Sequence, residues 1–164
     1  MTPSLRRTRA GTSLPPAHDP RALSWLLRRT VRRYAAPVAR ALDAGGFGDL
    51  PQRGVWAVSA LARTEPGLSG RDLVTRMGIS KQAVSQLVDT LVTSGYVARH
   101  PAPDDRRRTL LHLTPRGRSA ARVIDDTVAS LEAEMEAVIG REQLRALHEA
   151  LLRLDEVDEV DDPR

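Results

Sequence analysis

The sequence predicts a mainly α fold with one small β-hairpin, and three observations predict it. Apolar residues recur every three or four positions along successive stretches of chain, the spacing of helices that bury one stripe. Two short helical stretches meet at Gly78, and each opens on a serine, Ser69 and Ser80. Two strand-forming stretches, residues 97–100 and 109–113, then flank a loop with Pro103 and three consecutive arginines. A helix, a tight glycine turn, a second capped helix and a hairpin, in that order, make a winged helix-turn-helix domain. Further helices precede and follow it.

The elements follow in chain order. Residues 1–20, with Arg6, Arg7, Arg9, Pro15, Pro16 and Pro20, show no periodicity and read as a basic disordered arm. From Ala22 to Ala44, the positions of Leu23, Leu27, Val31, Tyr34, Val38 and Leu42 predict a helix with a buried stripe. Pro37 falls inside it and predicts a kink, while Arg28, Arg29, Arg32 and Arg33 cover the other side. Gly45, Gly46 and Gly48 break the chain, and Pro51 suits the first turn of a helix over residues 51–63. Val55, Val58 and Leu61 give that helix its apolar positions, with Trp56 beside them. Glu65-Pro66-Gly67 is a turn, and Leu68 anchors a very short strand.

Ser69 caps the next helix, with Asp72 at capping-box spacing, and Leu73, Val74 and Met77 face inward. Gly78 can take the left-handed conformation that ends it. Over residues 81–94, Val84, Leu87, Val88, Leu91 and Val92 form an unbroken apolar stripe, closed by Gly95. After the hairpin, Thr114 caps a long helix with Pro115 at its first position. Ile124, Val128, Leu131, Met135 and Val138 make a heptad-like seam along it. Gly140 breaks the run, and Leu144, Leu147, Leu151 and Leu154 keep helical spacing in a last helix. The acidic tail from Asp155 to Asp162 reads as frayed and solvated.

The chain's 164 residues and 18.0 kDa suffice for one domain with its own core. It has no cysteine, which excludes disulfides, thiolate metal sites and cysteine redox sensing. No apolar run reaches membrane-spanning length and the start lacks a signal-peptide core, so a soluble, cytoplasmic protein is expected. The net charge is +4, and its distribution is more telling. Residues 1–40 carry +8, residues 41–68 −1, residues 69–117 +4 and residues 118–164 −7. The helix-turn-helix part is basic and suits a polyanion, whereas the C-terminal part would repel one.

Chemistry that can read DNA is concentrated in two places. The outer face of the helix after Ser80 presents Lys81, Gln82, Ser85 and Gln86, with Asp89 and Thr93 further along. Glutamine can pair bidentately with adenine, serine donates or accepts, and lysine reaches guanine or phosphate. Lys81 is the only lysine among 25 basic residues. Composition alone would make this an ordinary wet helix face; the neighbouring turn and hairpin argue for a reading helix. The hairpin tip offers Arg106, Arg107 and Arg108, suited to the backbone or the minor groove. Asp105 is expected to pair with Arg107 or Arg99 and to orient the tip before DNA arrives.

These residues resemble the MarR family of transcriptional regulators. The resemblance lies in Ser80-Lys81-Gln82, Val84-Ser85 and Leu87-Val88-Asp89, then Leu91, followed by Gly95-Tyr96-Val97 with Arg99. It continues through Asp105 and Arg107 to Leu113-Thr114 and Gly117, and covers roughly residues 22–154. It implies an obligate homodimer built from the first and last two helices, with residues 21–50 and 116–155 flanking a DNA-binding domain over 51–115. It implies a pseudo-palindromic operator and repression relieved by a small, often aromatic, ligand. The basic first helix and acidic last helices would complement each other between subunits; packing of the seam within one chain is the alternative.

Trp25, Tyr34, Phe47 and Trp56 are candidates for lining a ligand site, and core packing accounts for them equally well. His18, His100, His112 and His148 lack ligand-pair spacing, so no metal is assigned, although His100 and His112 can face each other across the hairpin. No cofactor is assigned either. Glu132, Glu134, Glu136 and His148 fall on differing faces with no nucleophile or phosphate loop beside them, so no enzyme is expected. The alternatives are a ligand-independent winged-helix regulator or an architectural or protein-interaction module.

Overall fold

The computed structural model of the chain describes residues 22–105 and 107–158, with side chains to Leu154. The basic arm, Arg106 and the last residues of the acidic tail lie outside the described residues. The described residues divide into two compact units, one ending at Ala35 and the other beginning at Ala36.

Helix α1, Ala22–Ala44, spans the predicted range and continues through Pro37. Its stripe differs from the expectation: Val38 and Leu42 are buried, but Leu23 is 56% and Val31 65% exposed, and Leu27 is exposed too. The helical period specifies which residues share a face, not what covers that face. In the first unit the Arg29 guanidinium lies 5.2 Å from the centre of the Trp25 ring, a cation–π contact on one helix face.

In the second unit, α2 (Gln52–Ala62) begins one residue later than expected, because Pro51 is extended at its N-cap. Helices α3 (Gly70–Met77) and α4 (Lys81–Thr93) are separated by Gly78, whose φ of 59° and ψ of 30° place it in the left-handed region. A side chain there would be strained, so glycine is what permits so tight a turn. Strands β1 (Val97–Pro101) and β2 (Thr109–Leu113) pair antiparallel, Val97 opposite Leu113 and Pro101 opposite Thr109. Leu68 joins them by a single bridge to Leu111. Helix α5 (Pro115–Ile139) starts on the Thr114 cap, and α6 (Arg141–Asp158) follows the break at Gly140. Helical backbone therefore continues into the stretch from Asp155 that was expected to fray; successive carboxylates do not end a helix already propagating.

The core joins α2, α3, α4, β1 and the first half of α5. Val58, Leu61, Leu73, Val84, Leu91, Tyr96, Ala120 and Ile124 all belong to one buried cluster. Arg63, the C-cap of α2, reaches Asp125 of α5 at 2.8 Å across its edge. Beyond Ile124 the heptad-like seam opens progressively: Val128, Leu131 and Met135 are half-buried, and Val138 is 81% exposed. On α6, Leu144 is buried, whereas Leu147, Leu151, Leu152 and Leu154 are exposed. The sequence spacing places these side chains in one row, but a single chain covers only its near end.

Candidate nucleic-acid interface

Helix α4 builds an exposed polar face. Val84, Leu87, Val88 and Leu91 turn inward, so the helical period turns Lys81, Gln82, Ser85, Gln86, Asp89 and Thr90 to solvent. The Ser80 hydroxyl accepts from the Ala83 N–H at 3.2 Å, so it caps the helix and remains exposed at its entrance. Thr90, absent from the sequence-based set, lies on the same face and donates to the Gln86 carbonyl at 2.9 Å. Its period shared with Gln86 was the signal that could have found it.

Behind α4, the capping box on α3 is complete. The Ser69 N–H and hydroxyl both donate to Asp72 Oδ2 at 2.7 Å, and Asp72 N–H donates to Ser69 Oγ at 3.2 Å. These bonds, the hydroxyl's first, hold the Asp72 carboxyl below the ordinary carboxylate pKa. Between α3, α4 and the hairpin runs a groove of about 510 Å³, lined in part by Arg71, Val74, Lys81, Ser85, Arg99 and Thr109. It has an apolar floor and three cationic side chains at its rim.

The hairpin tip is organised by its acids, though not by the pairing expected. Asp105 Oδ1 accepts the backbone N–H of Arg107 at 2.9 Å, and the Asp105 carbonyl accepts from Arg108 N–H at 2.9 Å. Asp105 thus shapes the turn through the backbone, the usual use of a short carboxylate in a tight loop. Arg99 pairs instead with Asp89 of α4 at 2.6 Å, because β1 runs beside that helix and away from the tip. Arg108 pairs with Asp104 at 3.2 Å. Among the described residues Arg107 forms no ion pair, and it is exposed at the tip. Arg106, expected in the same cluster, lies outside the described residues.

Sequence reading missed the residues that hold α4 at its far end. Tyr96 is 0% exposed, and its hydroxyl donates to Asp49 Oδ1 at 2.5 Å. Burial, then this bond, pushes the Tyr96 phenol up to about 12, while the same bond holds Asp49 below the ordinary carboxylate value. Arg116 donates to Asp49 Oδ1 at 2.8 Å and to the Ser94 carbonyl at 2.5 Å, with its guanidinium 4.4 Å from the Tyr96 ring centre. No sequence spacing links residues 49, 96 and 116; only the fold brings them together.

The remaining candidates are dispersed. Phe47 is half-buried against Tyr96, ring centres 6.4 Å apart, and Trp56 is 57% exposed on α2. Trp25 and Tyr34 lie in the first unit. His100 and His112 meet edge-on at 5.2 Å across the hairpin, as diagonal cross-strand neighbours. Among the described residues no three His, Cys, Asp or Glu side chains are placed to hold a metal ion, and no helix is long and apolar enough to cross a membrane.

A polar-faced helix set by a glycine turn beside a cationic hairpin is the working surface of winged helix-turn-helix proteins. Comparison with known proteins narrows that class. Residues 49–108 match the model of the MarR family. A putative transcriptional regulatory protein for the hcr operon of Thauera aromatica is 29% identical over 101 residues, 62% of this chain and 61% of its own length. The chain thus spans about three-fifths of that relative. The solved transcriptional regulator PA3341 is 27% identical with a TM-score of 0.69, covering 85% of this chain and 99% of that one. The transcriptional repressor CouR, solved on a 23-mer DNA duplex, shares the fold at 23% identity and a TM-score of 0.67, covering 88% and 99%. Over residues 49–108 the chain is thus similar to the MarR family, and its fold is that of solved transcriptional regulators.

Proposed function

We propose that this chain acts in the cytoplasm as a sequence-specific regulator, a homodimeric repressor of a pseudo-palindromic operator that a small molecule releases. The observation that carries the DNA-reading part is the division of α4 into a buried apolar face and an exposed face of Lys81, Gln82, Ser85 and Gln86. The wing supplies Arg107 beside it, with Arg106 and Arg108 in the same loop and with Arg99 and Asp105 as the residues that orient the hairpin. In this reading the glutamines contact base edges and the arginines hold the backbone or the minor groove.

Homodimer formation is supported by the apolar side chains left uncovered on α1 and α6, which a second copy would bury. The two reading helices would then meet half-sites about one helical turn apart. Release by a small apolar ligand draws on the sparse aromatics, of which Trp56 is the most open to solvent of the three in the second unit.

Selection of duplexes from a random library by the purified protein tests the reading. Enrichment of a two-fold symmetric sequence is expected, and Arg107→Ala is expected to weaken its binding by about tenfold while the dimer stays folded. Equal affinity for all duplexes at moderate salt would favour an architectural module that does not read sequence.

A further inference from the structure

The cluster of Asp49, Tyr96 and Arg116 does more than close a turn. We propose that these three are positioning residues, which tie the C-terminal end of α4 to the first turn of α5 so that the tilt of the reading helix follows α5. The proposal rests on the DNA-reading role of α4.

The argument begins with what the turn would need without them. Thr114 already binds the backbone there: its N–H donates to the Tyr96 carbonyl at 3.0 Å, and its hydroxyl donates to the Gly95 carbonyl at 2.5 Å. Gly117 seats α5 against the same carbonyl so closely that a Cβ would lie 2.0 Å from the Tyr96 oxygen. The join between β1 and α5 is thereby made from the chain's own turn.

Arg116 adds a separate reach. One guanidinium nitrogen takes the carbonyl of Ser94, the C-cap of α4, and the other takes Asp49, just before α2. Tyr96 shares that same carboxylate oxygen and lies beneath the guanidinium. A planar fork held at two points and stacked on a ring has its orientation set in every direction. Asp49 and Arg116 are close to half exposed, so the ion pair itself adds little to stability. Its larger effect is on geometry.

The lever is the helix. The base-reading residues lie near the N-terminal end of α4 and the clamp lies just past its other end, so the 13-residue helix separates them by about 20 Å. A tilt of roughly 5° about the clamp would displace Lys81 and Gln82 by about 1.7 Å, enough to break a base hydrogen bond. Any rotation of α5 would reach the reading face by this route.

Two conservative changes, Tyr96→Phe and Arg116→Lys, test the clamp, using a duplex that the wild-type protein selects from a random library and a scrambled duplex of equal length. Expected is a loss of about tenfold or more on the selected duplex, the scale of one lost base contact, with scrambled-duplex binding and melting temperature nearly unchanged. Equal losses on both duplexes, or none on either, would overturn the proposal.

A second readout needs no DNA. The chain is free of cysteine, so Gln82→Cys with Asp126→Cys gives a clean pair of spin-label sites on α4 and α5. Diluted into unlabelled protein, the labelled chain should give a narrow distance distribution that broadens or shifts in both clamp variants. An unchanged distribution would sink the proposal even if wild-type protein selects no duplex, and that last result would count against the DNA-reading role alone.

Discussion

Ser69 and Asp72 satisfy donors that the start of any helix leaves open, and they do so reciprocally. Ser69→Ala is expected to cost about 1 kcal/mol in chemical denaturation. Because the Asp72 pKa is lowered in the folded chain, its contribution is complete above the ordinary value of 3.8 and is lost as pH falls through the lower folded value. Asp72→Asn should therefore narrow the stability gap to wild type in acid. A gap independent of pH would show that the carboxylate charge is not what the cap uses. Gly117 poses a different test, since Gly117→Ala drives a methyl into the Tyr96 carbonyl and should destabilise by about 3 kcal/mol. Wild-type stability in that variant would mean that α5 can slide, against the close seat described. The capping serines and Gly78 were legible as residues because each acts on its immediate neighbours. Tyr96, Asp49 and Arg116 were not, because their partners are separated by tens of residues in the chain.

At the scale of the element, the proposed DNA-reading role divides the labour of α4 along its length. Gln82→Ala and Gln86→Ala should each relax base preference, by about 1–3 kcal/mol of discrimination at the affected position. Lys81→Ala should instead weaken all duplexes similarly and lower the salt dependence by about one counterion. Binding selections on each variant separate the two: unaltered base preferences in both glutamine variants would remove them from readout. The face itself was legible from Val84, Leu87, Val88 and Leu91, since a 3.6-residue period assigns the polar positions by subtraction. The hairpin was legible as an element but not in its ionic detail. Arg99 was expected near the tip, yet the strand places it beside Asp89, because cross-element neighbours depend on the packing of β1 against α4.

The whole molecule leaves Leu23, Leu26, Leu27 and Val31 on α1, and Leu147, Leu151, Leu152 and Leu154 on α6, open to solvent. A single chain gains little from side chains so placed, and their regular helical spacing is what a second copy would use. Val31→Glu with Leu152→Glu should then shift sedimentation from dimer to monomer. Both positions are exposed in the single chain, so helix content should be preserved. A dimer of unchanged strength would place the subunit contact elsewhere. The charge map supports the same assembly, since residues 1–40 carry +8 and residues 118–164 carry −7, charges that would complement each other between subunits.

The sequence by itself determined where the helices and the hairpin lie, which glycine makes the turn and which polar side chains share the exposed face of α4. Each of these is a local matter of period, cap or backbone conformation. Tertiary structure alone decided that Asp105 shapes the wing through backbone bonds, that Arg99 turns to Asp89, and that Asp49, Tyr96 and Arg116 converge at the C-terminal end of α4. The physical reason is range: a hydrogen-bonding side chain acts over about 3 Å, and which groups fall within that reach is settled by packing and not by spacing along the chain.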